Sequence, residues 1–257
     1  MRKEALKNHF LQYADSFLTG NEEVDINLQL KKDHTLRVVA EAEALARAES
    51  FQEEESFLLF CSALLHDLSR FEQFVRFQTF NDAVSFDHGE RSYELFGELD
   101  FPGAGSTENE RRIIQTAVRY HNRRTVPADL SPAERKILLA VRDADKTDII
   151  NILLEHLKNP VNPAIVYKLP DQPGLSAEVA SALLAGTTPA HADFKTGLDF
   201  LAAKLAWGFD LNYSWTCREF LRREYLQKLR HALPEKPEVL DICLEKVLMY
   251  MQKKGNM

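Results

Sequence analysis

Apolar residues recur along this chain at the three- and four-residue spacing of helices that bury one face. Residues 33–49, "DHTLRVVAEAEALARAE", carry the pattern, with Asp33 placed to cap the helix because its side chain accepts from free backbone amides. The same reading predicts helices over 53–68, 88–99, 108–121, 132–158, 176–185, 194–207, 214–232 and 236–253. Ser131 ahead of Pro132, with Glu134 three residues after the serine, marks a capped start. Alternating β-branched runs are nearly absent, so no strand is predicted. Pro and Gly gather in "FPGAGS" (101–106), "KNPVNP" (158–163), "LPDQPG" (169–174) and "LPEKPE" (233–238), which read as loops. The aromatics of "GLDFLAAKLAWGFDLNYSW" (197–215) fall at helical spacing and are expected in a core. The fold class this implies is all-α.

The pattern is broken in one informative way. Residues 57–65, "FLLFCSALL", form the most apolar stretch of helix, and it runs directly into His66 and Asp67. Burying a carboxylate is costly unless it is paired or binds a metal. The same intrusion recurs elsewhere. His34 shares a face with Val38, Ala42 and Leu45; His88 with Ser92, Leu95 and Leu99; His121 with Ile114, Ala117 and Val118; Asp145 with Leu138, Val141, Ile149 and Ile152. A single inward histidine is most often a core residue with its own partner. Six inward His and Asp residues each need one, and a shared divalent cation satisfies neutral imidazoles and ionised carboxylates together.

Composition narrows the class. A length of 257 residues suits one large domain or two small ones. The net charge of -7 argues against a general binder of large nucleic acids but leaves room for a small phosphorylated ligand. Cys61, Cys217 and Cys243 form no CxxC pair, which suggests a reducing compartment. No signal peptide and no apolar run of about 20 residues is present, so a cytoplasmic protein without a membrane partner is expected.

The motifs "DHTLRV" (33–38), "ALLHDLS" (63–69) and "RDADKTD" (142–148) stand in the order His, His-Asp, distant Asp before a basic residue. In this the chain resembles the HD-domain metal-dependent phosphohydrolases, over about residues 30–155. The resemblance implies a helical HD-type bundle; the chain is expected to form one domain spanning 1–257 with additional C-terminal helices over about 164–257, and the segment 158–174 serves equally well as a domain boundary or as a long connection. It implies metal binding by His34, His66, Asp67 and Asp145. Asp143 and Asp145 point about 200° apart on a helix; Asp145 has Val141 and Ile149 a turn away and fits the family's Ala-Asp-basic pattern, leaving Asp143 as a supporting or capping residue. His88 in "FDHGE" and His121 in "RYHNR" match positions where binuclear members supply further ligands, with Asp67 as the bridge. One or two ions are expected, among Mn, Fe, Co, Ni, Zn and Mg. "NRR" after His121 stands where the cyclic-dinucleotide-cleaving branch has Gly-Tyr-Pro.

The activity so implied is hydrolysis of a phosphate ester of a small molecule, nucleotides among the candidates. Asp67 and Arg70 are the expected catalytic residues. Arg70, one turn beyond His66 if that helix continues, is placed to meet a phosphate, and Arg76, Arg123 and Lys146 are further candidate phosphate contacts. Gln73, Asn81 and Asp82 are candidates to touch a sugar or base. The same resemblance admits a di-iron oxygenase or a non-catalytic ligand-binding regulator; the full ligand set argues against the last.

Overall fold

In the computed structural model, residues 2–160, 162–166, 169, 170, 172, 174–233 and 237–256 are described. Parts of the loops expected at 158–163, 169–174 and 233–238, and the expected start of a helix at residue 236, lie outside them. The described residues form α-helices and short 3-10 turns, with no strand. No helix among them is long and apolar enough to cross a membrane. The chain gathers into two compact units, Met1–Asp145 and Lys146–Met257.

The first unit contains α1 (Arg2–Asp15), α2 (Glu22–Ala48), α3 (Glu53–Leu65), α4 (Ser69–Phe77), α5 (His88–Glu98), α6 (Glu108–Tyr120) and the start of α7 (Pro132–Lys158). α3 lies at its centre, packed by α1, α2 and α6, while α4 joins α2 to α5. That follows from sequence, because every residue of α3 from Leu58 to Leu65 is buried. Around it close Leu6, Phe10, Val38, Leu45, Phe71, Phe96 and Ile114. Burying such side chains stabilises the fold by about 1.5–3 kcal/mol each.

Three helical expectations need correction. α2 begins at Glu22, not near Asp33: Asn21 is the cap and accepts from the Glu23 amide, with Glu22, Glu23 and Asp25 favourably placed in the first turn. α1 was not expected; it buries Leu6, Phe10 and Ala14 at four-residue spacing. The helix predicted over 53–68 stops at Leu65, and a turn leads into the separate helix α4.

The second unit holds the end of α7 with α8 (Ala177–Leu184), α9 (Gly197–Ala203), α10 (Ser214–Arg222), α11 (Tyr225–Ala232) and α12 (Glu238–Gly255). The helix expected over 194–207 is shorter, and a 3-10 segment, Lys204–Asp210, continues it. The expected 214–232 helix divides at Glu224, whose φ of 54° is left-handed. The aromatics of 197–215 supply core as expected: Phe200, Leu201 and Leu205 are buried with Phe220, Leu226, Leu240 and Val247, and Trp207 and Phe209 pack against them. All three cysteines are buried and free.

Candidate metal centre

Three helix ends of the first unit, with α2 and α7, deliver polar groups to one buried spot. His34 comes from α2, Asp145 from α7, His66 and Asp67 from the turn after α3, His88 from the first residue of α5, and His121 from the residue closing α6. All are buried except Asp145, which is intermediate. Asp67 lies between two groups. Its Oδ2 is 3.6 Å from His34 Nε2 and 3.5 Å from His66 Nε2. Its Oδ1 is 3.5 Å from His88 Nε2 and 3.6 Å from His121 Nε2. Asp145 Oδ1 closes the first group, 3.2 Å from His34 Nε2 and 3.7 Å from His66 Nε2.

The ring nitrogens that face inward are fixed by what lies behind them. His66 Nδ1 is 2.7 Å from the Ala63 carbonyl, and His121 Nδ1 is 2.7 Å from the Val118 carbonyl. A carbonyl only accepts, so each Nδ1 carries the proton and each neutral ring turns a lone pair at Nε2 inward. His88 Nδ1 meets the Asp82 carboxylate at 2.5 Å, with the same consequence. The Nε2 atoms of His88 and His121 are then 3.1 Å apart. Among the described residues, His66 Nε2 has no hydrogen-bond partner. Arg70 donates to His88 Nε2 at 3.2 Å, and lone pairs that face one another and carboxylate oxygens favour further positive charge between them. Donor atoms bound at about 2.1 Å to one cation lie about 3.0–3.4 Å from each other, close to the spacings here. Two sets meet this geometry: His34, His66 and Asp145, and His66, Asp67 and His121.

Charge around Asp67 is balanced locally. Burial alone would raise its carboxyl, but the Lys31 ammonium and the Arg70 guanidinium beside it favour the charged form and hold it below the usual carboxylate range. Lys31 Nζ stands 2.8 Å from Asp67 Oδ2, a contact between residues 36 positions apart in sequence.

A supporting layer lies behind the histidines. Asp82 accepts from His88 and, at 2.9 Å, from Arg70. Gln73 donates to Asp82 at 3.0 Å and to Ser85 at 2.7 Å. Ser69 donates to the His88 carbonyl at 2.9 Å. Arg142 from α7 donates to the carbonyls of His121 and Arg123, tying the end of α6 in place. Asn81 caps the 3-10 turn Asp82–Val84 through the Ala83 amide.

The six expected metal-binding residues are therefore brought together. Of the expected phosphate contacts, Arg70 joins them, with Nε 3.5 Å from Asp67 Oδ1 and an N–H 3.2 Å from His88 Nε2, while Arg76, Arg123 and Lys146 are paired elsewhere. Arg70 is buried rather than at a mouth, and its guanidinium meets Gln73, the Phe80 carbonyl, Asp82 and His88. Arg76 is exposed and pairs with Glu72; Arg123 pairs with Asp87 and Glu90. Lys146 belongs to the second unit, where it pairs with Asp210 at 2.9 Å. The supporting roles of Lys31, Asp82 and Arg142 leave no periodic trace in the sequence, since their contacts cross from one element to another.

The HD domain family model matches residues 32–163. The chain belongs to the HD domain family. The match takes in the six clustered His and Asp residues, so the HD domain is the part of the chain that carries the candidate metal centre. HD domains bind divalent metals, and the family consists largely of metal-dependent hydrolases. No curated protein and no solved structure matches the chain.

Proposed function

We propose that this HD protein is a metal-dependent phosphohydrolase that cleaves a phosphate ester of a small molecule, with nucleotides foremost among the candidates. One observation carries the reading: Asp67 turns one oxygen toward the His34, His66 and Asp145 set and the other toward His88 and His121. A carboxylate so placed suits two divalent cations, one in each half. His34, His66, Asp67 and Asp145 would hold the first; His88, His121 and Asp67 would hold the second. Such cations supply Lewis acidity for a phosphoryl oxygen and lower the pKa of a bound water.

The chain's own residues prepare that chemistry. The Ala63 and Val118 carbonyls lock His66 and His121 in the tautomer that presents Nε2, and Asp82 does the same for His88. Lys31 and Arg70 keep Asp67 ionised, so that no proton must leave it when a cation arrives. Burial of Asp67 and the three rings excludes bulk water and strengthens every charge interaction in the site.

The test is metal analysis followed by phosphate release. Purified protein, reconstituted in turn with Mn, Co, Ni, Mg and Fe, is assayed on nucleotides and sugar phosphates. Release that disappears with chelator and returns with metal is expected. No release from any ester, or substrate-dependent oxygen uptake by the iron-loaded protein, would overturn the reading.

A further inference from the structure

We infer that Lys31 is the phosphate-binding residue of this site; the inference deepens the phosphohydrolase reading and rests on it. Lys31 stands one turn before His34 on α2 and sets its ammonium 2.8 Å from Asp67 Oδ2. That oxygen also faces the His34 and His66 rings, so the ammonium borders the metal-binding set directly. The side chain keeps 14% of its surface exposed, against 4% for Asp67. It therefore reaches from the buried carboxylate toward solvent, the direction from which a substrate arrives.

An ammonium has three donors. Asp67 takes one, and the Phe80 ring, 5.3 Å from Nζ, steadies the charge without consuming another. Two donors remain for phosphoryl oxygens. The other cations at hand are engaged otherwise. Arg70 also borders the set, with Nε 3.5 Å from Asp67 Oδ1, but it is buried and gives its N–H groups to Gln73, the Phe80 carbonyl, Asp82 and His88 Nε2. Arg76 and Arg123 are on the outside, each paired with a surface carboxylate. Lys31 is thus the cation both adjacent to the candidate metal set and open to a ligand. A phosphate monoester or terminal phosphate, with several charged oxygens, can touch cations and ammonium at once; a neutral ester gives the ammonium little to bind.

The experiment compares wild type, Lys31→Met, Lys31→Arg and Lys32→Met, all loaded with Mn. Lys32 pairs with Asp15 at 2.6 Å and serves as the control for a lost charge on the same helix. Metal content is measured first, and then inorganic phosphate affinity by calorimetry and as competitive inhibition. Lys31→Met should keep the wild-type metal content, bind phosphate about 10- to 100-fold more weakly and raise KM for a phosphomonoester more than it lowers kcat. Lys31→Arg should recover part of the affinity, and Lys32→Met should match wild type. Equal phosphate affinity in Lys31→Met, equal weakening in Lys32→Met, or loss of metal from Lys31→Met would overturn the inference while leaving wild-type hydrolysis intact. Metal-loaded wild type that neither binds phosphate nor cleaves any ester would instead overturn the phosphohydrolase reading, and this one with it.

Discussion

Asp82 holds His88 by a 2.5 Å contact to Nδ1, and in doing so decides which nitrogen of that ring faces Asp67. Burial would raise the Asp82 carboxyl, but His88 and Arg70 drive it far below the usual carboxylate range, so it stays an acceptor at any physiological pH. Asp82→Asn removes that charge and admits the wrong tautomer at His88. Metal affinity in the half of the site served by His88 should fall about 10- to 100-fold, read by titration with Mn or Co. Unchanged affinity would mean that His88 is oriented by Ser69 and helix α5 alone.

The division of Asp67 into two faces makes a stoichiometric prediction. His34→Ala should remove the cation that Asp67 Oδ2 and Asp145 face, and His121→Ala the one that Oδ1 faces, each leaving about one metal per chain. Asp67→Ala should lose both and abolish turnover. Elemental analysis of the purified variants decides it. If His121→Ala keeps two metals, His121 acts on substrate instead; if wild type holds one, the site is mononuclear.

Which parts of this site could be read from sequence follows from how each residue is placed. His34, His88, His121 and Asp145 each interrupt an apolar stripe on a single helix, and one helix's periodicity is written locally. Lys31 and Asp82 do their work across gaps of 36 and 6 residues, onto other elements, so nothing near them in sequence marks the contact. The burial of Arg70 is illegible for a related reason: an arginine after a buried helix ordinarily reaches solvent, but Gln73 on α4 and Asp82 from the loop after it draw it inside, against Asp67. α1 escaped notice because charged residues crowd its two exposed faces and only Leu6, Phe10 and Ala14 are buried. The early start of α2 is hidden for another reason: in "EEVDINLQLKKD" the apolar residues Val24, Ile26, Leu28 and Leu30 fall at every second position, not at helical spacing.

Lys204, in the second unit, gives a pH dependence of opposite sign to that of a salt-bridged lysine. Its ammonium is buried among Phe200, Trp207 and Phe194, at 3.9, 4.5 and 5.4 Å from the ring centroids. Burial pushes the amine down to about 7, and the ring faces offset part of that cost. The unfolded chain therefore binds the proton more tightly than the folded one, and stability should rise as pH increases from about 7 toward about 10. Lys204→Met removes the titrating group. Thermal unfolding of the two proteins across that range should show the variant ahead at pH 7, with its advantage shrinking as pH rises. Parallel profiles would place a compensating charge beside Lys204.

Gly89 tests how closely α5 and α6 must approach. It follows His88, and a Cβ there would stand 2.8 Å from the Arg119 carbonyl oxygen and 2.5 Å from the Asn122 amide oxygen. The Asn122 side chain can swing away, but the Arg119 oxygen is backbone and moves only with the end of α6. That end carries His121, whose Nε2 lies 3.1 Å from His88 Nε2. Gly89→Ala should therefore separate the two rings, cost about 1–3 kcal/mol through overpacking, and weaken metal binding by the His88 and His121 half while sparing the His34 half. Gly97, on the same helix, has open space around its Cα. Gly97→Ala should leave metal content unchanged and stabilise the protein by up to about 1 kcal/mol, through helix propensity alone. Metal titration and thermal unfolding of both variants separate the two effects. Equal behaviour of the pair would show that the approach of α5 to α6 does not set the histidine spacing.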